Sequence, residues 1–417
     1  MSPLPSALVL TLALLSTAAS AQVCPLDAGD TVRKIVACKP GVGTTECRAL
    51  AQKVGCSVVR ELPSINAIVI ELLAFRSEGA EVKLKSTMKV DLVETDKTVN
   101  WLKGSLAVAP APAAPQFDLG ENARAIIDRM RGLKPLKPSA PAADPEQPWG
   151  IRRVNAAGSW ETPRGQGAGA AVAVIDTGIS KTHPDLVGQV LGGFNALDPK
   201  NPDKWDDDQG HGSHVAGTIA GKRDGKGVVG VAPQAKLYAI KVLDADGNGG
   251  YSDVIAGIEW AVKNKIPVAN MSLGADEGSE ALKRAVQAAT KAGLLIVAAA
   301  GNSGGPVGYP ASYPETIAVA ASDVKDAVAS FSSRGPEVDF IAPGVDVKSV
   351  NFEGGWTELS GTSMATPHVA GLAALAYARG ASNPAKIRAA LKAAATPLPN
   401  LGPELQGAGM IDAGKLP

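Results

Sequence analysis

Apolar and polar residues change rhythm twice along the chain. In residues 27–103, Val32–Ala37 predicts a strand and Glu46–Val54 a short helix with Leu50, Ala51 and Val54 on one face. Val58–Leu62 and Ala67–Leu72 alternate as strands, Ala80–Lys89 predicts a second helix or a turn, and Val90–Val93 closes as a strand. This β-α-β-β-α-β order predicts a small α+β ferredoxin-like sandwich. From 104 to 147 the rhythm is lost. AVAPAPAAP and LKPLKPSAPAADPEQP are rich in Pro and Ala, which stiffen a linker but form no core, and Asn122–Arg131 between them predicts one helix.

From 148 to 417 the pattern changes again. Ala171–Ile175, Lys236–Val242, Ile266–Asn270, Leu294–Ala299 and Thr316–Ala321 are continuous apolar runs. Helical patterns at His211–Gly221, Ser252–Asn264 and Ser279–Ala292 separate them. Such alternation predicts an α/β unit, a mostly parallel sheet covered by helices on both faces. In sheets of this kind, sites form beyond the carboxyl ends of the strands.

Composition narrows the picture. Apolar residues make up 45% of the 417, enough for a sizeable core in more than one domain. Aromatics are only 4% while glycines number 46, which implies close packing through small side chains. A net charge of zero offers no attraction to nucleic acid or to an acidic membrane surface. The apolar run Ala7–Ala19 followed by Ala19-Ser20-Ala21 reads as an export signal over residues 1–21, although no Lys or Arg precedes it. It falls short of the roughly 20 residues that span a bilayer, and no later run is long enough. An exported soluble protein, extracellular or periplasmic, is expected. All four cysteines (Cys24, Cys38, Cys47, Cys56) lie early, with spacings of 14, 9 and 9 that lack the close pairs of zinc sites. They predict two disulfides within residues 22–103, with three pairings open.

Candidate chemistry gathers at strand ends. LSGTSMATPHVAG (359–371) reads as a strand end, a turn at Gly361 and a helix entered through Thr362 and Ser363. A hydroxyl there is either a helix cap or a nucleophile beside orphan backbone donors. The run AVAVI ends in Asp176, His211 opens an apolar helix, and Asn302 follows the run 294–300. Hydrolysis of an amide by serine needs a base for the hydroxyl proton, a carboxylate to orient that base, and donors for the oxyanion. Ser363, His211, Asp176 and Asn302 supply those types.

With these motifs the chain resembles the subtilisin-type serine peptidases: VIDTG (174–178), GHGSHVAGTIAG (210–221), NMSLG (270–274), AAAGN (298–302) and SGTSMATPHVAG (360–371), in the order Asp, His, Ser. The resemblance runs from about Trp149 to the C-terminus. It implies that Asp176 orients the base, His211 is the general acid/base, Ser363 is the nucleophile, and Asn302 completes the oxyanion hole, with no cofactor in the reaction. GTSMA around Ser363 is not G-x-S-x-G, which argues against an α/β-hydrolase esterase.

The same resemblance implies a monomeric enzyme acting on proteins or peptides. An extended substrate would lie between Gly247, Asn248 and Gly249 on one side and Ser272, Leu273 and Gly274 on the other. Tyr251 would wall the pocket four residues before the cut. Residues 298–301 and Gly308 would line the pocket next to the cut, where small residues imply broad specificity. Asp206-Asp207-Asp208 either favours basic substrate residues or is a solvated acidic loop. Asp185 and Asp224 match positions of a structural calcium site. Residues 22–103 are similar to the subtilisin propeptide, which implies a proenzyme that blocks and then cuts itself near Leu102–Ser105, or else within the linker near 145.

Overall fold

The computed structural model describes residues 30–104, 106–107 and 146–417, the pair 106–107 in its backbone only. The expected export signal, Cys24 and the Asn122–Arg131 helix lie outside the described residues.

The N-terminal unit follows its hydrophobic pattern closely. Strands β1 (Thr31–Cys38), β2 (Ser57–Leu62), β3 (Ala67–Leu73) and β4 (Val90–Thr95) form an antiparallel sheet in the order β2-β3-β1-β4. The helices Thr44–Lys53 and Ser77–Ser86 complete the β-α-β-β-α-β order, so the segment left open between helix and turn is a helix. Alternation along the strands separates two cores. Val36, Ile68, Ile70 and Leu72 pack with Cys47, Ala51, Ala80 and Leu84 of the unit's own helices. Ile35, Ala37, Ala67 and Val69 point the other way, into the core of the larger unit. A disulfide joins Cys38 to Cys47, so one of the expected bridges is present, and Cys56 is buried in the same small core.

The larger unit is built on a nine-stranded sheet, ordered β17-β18-β14-β13-β12-β11-β7-β9-β8. Its strands are β7 (Ala171–Asp176), β8 (Val190–Asn195), β9 (Lys236–Lys241), β11 (Val268–Met271), β12 (Leu295–Ala299), β13 (Ile317–Ser322), β14 (Val338–Pro343), β17 (Ala395–Thr396) and β18 (Met410–Ile411). All neighbours run parallel except β17 against β18. From β7 the chain runs out to the edge at β8, comes back with β9 between β8 and β7, and then crosses to β7's other side with β11. The order reverses at β7, and that point opens a crevice at the carboxyl ends. The helices pack as pairs, Tyr251–Lys263 with Glu280–Lys291 and His211–Ala220 with Thr362–Ala378.

Helix Thr362–Ala378 is buried without a break from Thr362 to Ala376, as its all-round apolar sequence requires. Its small residues permit this. A Cβ on Gly371 would lie 2.6 Å from Cβ of Val231. Strand β8 escapes the pattern reading because Gly192-Gly193 looks like a turn. A Cβ at Gly193 would meet Ala239 O at 2.3 Å and the Trp205 ring at 2.7 Å, so the glycine serves packing within a strand.

Two small sheets join the units. β5 (Thr98–Asn100) pairs antiparallel with β10 (Asn248–Gly250). β6 (Leu106–Ala107) pairs with β16 (Trp356–Ser360), which forms a hairpin with β15 (Val347–Val350).

Candidate active site

Three strand ends and two helix starts converge on the crevice. Asp176 is the last residue of β7 and fully buried, and His211 is the first residue of its helix. Nδ1 of His211 lies 2.8 Å from Oδ1 and 3.0 Å from Oδ2 of Asp176. Burial works against charging His211. The charge and hydrogen bond of Asp176, with Asp207 beyond, outweigh it and hold the imidazole above its ordinary value. Nε2 of His211 is buried and has no hydrogen-bond partner among the described residues. That nitrogen is the one a nucleophile's proton would reach.

Ser363 is the second residue of the long helix, which follows β16 through Gly361. Its Oγ donates to the carbonyl of Ser272 at 3.0 Å. Pro367 explains a second link between these residues. Lacking an N–H, it cannot donate to the carbonyl four residues back, which belongs to Ser363. The hydroxyl of Ser272 donates to that carbonyl at 2.7 Å, and Nδ2 of Asn270 donates to the same hydroxyl at 2.9 Å. Ser272 follows β11, so the register of the sheet fixes the start of the serine helix.

Asn302 lies past β12. Its Oδ1 accepts from the backbone N–H of Thr362 at 2.8 Å and from Thr362 Oγ1 at 2.9 Å. With the oxygen held, the amide NH2 is turned beside Gly361, where a Cβ would sit 3.5 Å from Nδ2. The first backbone N–H groups of the helix have no intrahelical acceptor. The arrangement offers an amide donor and main-chain donors around one serine hydroxyl, suited to a developing oxyanion.

The expected substrate edges are occupied by the chain's own residues 98–104, 106 and 107. Asn248, Gly249 and Gly250 pair with Asn100, Val99 and Thr98. Gly247 O accepts from Trp101 N at 2.9 Å, and Gly274 N donates to Trp101 O at 3.0 Å. The Trp101 indole donates to Gly249 O at 2.8 Å and stands against the ring of Tyr251. Burial pushes the Tyr251 phenol up to about 12, and its hydroxyl donates to Glu277 O at 2.6 Å. Gly104 lies beside Asn302, where a Cβ would come within 3.0 Å of the Asn302 Cβ. Past the serine, Leu106 and Ala107 pair with Ser360 and Leu359. A cavity of about 500 Å³ opens here, lined by Leu273, Ala299, Gly301, Asn302, Gly308 and Ser363 among others. Of residues 298–301, Ala299 and Gly301 line it, while Ala298 and Ala300 point elsewhere.

The other candidates have structural partners. His214 Nε2 donates to Val347 O (2.9 Å) and the group is pushed down to about 3 by burial, and His368 Nδ1 donates to Met364 O (2.9 Å) and falls to about 4 for the same reason. The acidic run is largely solvated, with Asp206 and Asp208 exposed, yet each of its three carboxylates has a partner. Asp206 pairs with Lys181, Asp207 holds the start of the His211 helix, and Asp208 pairs with the buried Lys241 at 2.6 Å.

Asp185 and Asp224, the expected calcium residues, both meet protein groups. Oδ2 of Asp185 accepts from Trp356 Nε1 at 2.7 Å and from Val228 N at 3.0 Å. Asp224 faces the ammonium of Lys222 at 3.4 Å. Asp224 N and Gly225 N donate to the carboxylate of Glu146 at 2.8 and 3.1 Å. Hard cations require several converging free oxygens. Among the described residues no group of three or more His, Cys, Asp or Glu could hold a metal ion.

Sequence reasoning missed Thr177, Trp101 and Glu146, and missed the roles of Asp207 and Thr362. A signal existed for Thr177 and Thr362, which stand directly beside Asp176 and Ser363. Trp101 and Glu146 carry no local signal, because their partners are 148 and 78 residues away.

Comparison with known proteins shows the family to which the chain is similar. The profile of the subtilase family matches residues 167–409. Subtilisin E of Bacillus subtilis (strain 168) is 40% identical over 355 residues, covering 80% of this chain and 92% of the relative. M-protease of Shouchella clausii (strain KSM-K16) is 49% identical over 269 residues, 64% of this chain and 68% of the relative. Subtilisin Savinase of Lederbergia lenta is 48% identical over 269 residues, 64% of this chain and 97% of the relative.

Proposed function

The chain belongs to the subtilase family of serine endopeptidases, and from that premise we propose a secreted enzyme of broad specificity, made as a proenzyme that cuts itself. In this reading Ser363 Oγ attacks the scissile carbonyl while His211 Nε2 takes its proton. Asp176 fixes the imidazole and stabilises the imidazolium. Asn302 Nδ2 and the Ser363 N–H hold the oxyanion. The C–N bond then breaks, His211 returns the proton to the leaving amine, and water releases the acyl group by the same steps in reverse. For attack, the Ser363 hydroxyl turns from Ser272 O toward Nε2.

The observation that carries the proenzyme reading is the path of residues 98–104 and 106–107. They pair with β10 before Ser363 and with β16 after it. A peptide substrate that adds a strand to these edges would take the same path. The position of Gly104 beside Asn302 supports a cut after Gly104, within the interval Leu102–Ser105 expected from the sequence. The match to subtilisin E is longer than residues 148–417, so it reaches into the preceding region. Until the N-terminal unit leaves, it blocks the cleft. Substrate would then meet a pocket of small residues, which favours large apolar side chains without selecting one.

The test compares the wild-type chain with Ser363→Ala, following intact mass for loss of the N-terminal unit and casein for cleavage. The wild type should split after Gly104 and digest casein, and the variant should do neither. A purified variant that still splits would refute self-processing through Ser363.

A further inference from the structure

We propose that Asp207, acting through Thr177 and Ser213, is the positioning residue that sets the Asp176–His211 geometry and supports the charge His211 takes up. This rests on the reading of His211 as the base.

The helix that begins at His211 has no side-chain cap of its own, because its N-cap is Gly210. Its first N–H groups are satisfied from outside. His211 N donates to Gln209 Oε1 (2.8 Å), Gly212 N to Thr177 Oγ1 (3.0 Å) and Ser213 N to Asp207 Oδ2 (2.9 Å). Thr177 Oγ1 in turn donates to Asp207 Oδ1 at 2.8 Å. Gln209 N and Gly210 N also donate to Oδ1, at 3.0 and 2.8 Å, and Ser213 Oγ donates to Oδ2 at 2.6 Å. One carboxylate thus ties the residue after Asp176 to the first turn of the His211 helix.

The tie reaches the catalytic pair directly. Thr177 N donates to Asp176 Oδ1 at 2.8 Å, the same oxygen that meets His211 Nδ1. Ser213 Oγ accepts from Ser180 N at 2.8 Å, adding a second link to the loop after β7. Loop and helix are in main-chain contact, since a Cβ on Gly212 would sit 2.1 Å from Gly178 O. From behind, Lys241 Nζ donates to Thr177 O (2.7 Å) and to Asp208 Oδ1 (2.6 Å). Asp207 touches neither the imidazole nor the cleft, so it acts through these links.

Charge adds to geometry. The start of a helix carries partial positive charge, which opposes an imidazolium on its first residue. Asp207 places a full negative charge at that same turn. The other ionisable groups around His211 are Asp176 at the ring, His214 one turn on, Asp246 across the cleft, and Lys241 paired with Asp208 behind Thr177. His368 on the serine helix is kept neutral by burial.

The test uses the full chain carrying Asp207→Asn, Thr177→Val or Thr177→Ser. Each is activated with a trace of wild-type enzyme if it does not split unaided, and then freed of it. A peptide anilide gives kcat and KM across pH, and thermal melting checks folding. Asp207→Asn should lower kcat roughly 10- to 100-fold with KM little changed, the cost of a misplaced catalytic group. Its acid limb should move to lower pH, because removing a nearby negative charge disfavours the imidazolium. Thr177→Val should fall in the same direction, while Thr177→Ser, which keeps the hydroxyl, should stay near wild type. An unmoved acid limb in a folded Asp207→Asn would overturn the proposal. Should that variant not fold, equal activity of the two Thr177 variants would overturn it. Anilide hydrolysis that survives Ser363→Ala would instead sink the underlying serine-peptidase reading.

Discussion

Trp101 stands edge-on to Tyr251, with ring centroids 4.9 Å apart and planes at 64°. The pair joins the N-terminal unit to the wall of the substrate cleft, and the indole N–H is satisfied by Gly249 O. A buried Trp with its donor paired is the usual form of an interface anchor, and truncating one costs about 2 kcal/mol or more. Trp101→Ala should therefore slow the split after Gly104 by about 30-fold, read by intact mass over time. Trp101→Phe keeps the ring contact and should lose less. An unchanged rate in Trp101→Ala would show that strand pairing alone holds the segment in place.

The pH profile follows from His211. Burial alone would pull its pKa down, but Asp176 and Asp207 raise it above the ordinary value of about 6.5. Catalysis needs the neutral imidazole, so activity should fall as pH drops through a value above about 6.5. Asp176→Asn removes the main upward influence and leaves burial acting, so its acid limb should appear at lower pH. Its kcat should fall about 10⁴-fold, the size of the effect when a triad aspartate is replaced on an unrelated fold. Rates of anilide hydrolysis from pH 5 to 10 decide this. An acid limb for Asp176→Asn at or above that of the wild type would contradict it.

Much of this architecture is legible in the sequence because β7, β9, β11, β12 and β13 are apolar on both faces. Parallel strands under helices impose that pattern. Asp176, His211, Ser363 and Asn302 were found because each stands at a break between such a run and a helix. β8 was not, since Gly192-Gly193 imitates a turn. The roles of Asp206, Asp207 and Asp208 were not legible either, because each is decided by a partner in another element. The local pattern shows an acidic loop, and only the fold shows that Asp207 is half-buried under the His211 helix while Asp206 and Asp208, still exposed, pair with Lys181 and Lys241. The same holds for Trp101, whose role depends on docking two separately folded sheets.

The disulfide between Cys38 and Cys47 bears on how long the cleft stays blocked. It closes a short loop with a sequence separation of 9, worth about 2.5 kcal/mol in the chain-entropy treatment. The small sheet it braces has a modest core of its own and uses its second face against the larger unit. Replacing both cysteines by Ser should leave the split after Gly104 intact but make the severed unit easier to unfold and digest. The lag between splitting and casein cleavage should shorten several-fold. A lag equal to wild type would mean that release, not unfolding of the inhibitor, sets the delay.

Glu146 fastens two segments of the large unit to one another. Its carboxylate accepts from Asp224 N and Gly225 N, and its own carbonyl accepts from Val229 N at 2.9 Å. The chain entering the large unit is thereby fastened to the loop that follows the His211 helix. Hydrogen bonds to a charged acceptor contribute about 1.5–3 kcal/mol each. Glu146→Ala, which removes two such bonds, should then lower the melting temperature by about 6–24 °C, since 1 kcal/mol moves a domain of this size by about 2–4 °C. A Ser363→Ala background prevents self-digestion during the measurement. In that background a chelator should shift the melting temperature by less than about 1 °C, because Asp185 and Asp224 already meet protein donors and Lys222. A large drop with chelator, restored by added calcium, would show that these side chains reorganise around an ion and that Glu146 is not the principal fastening.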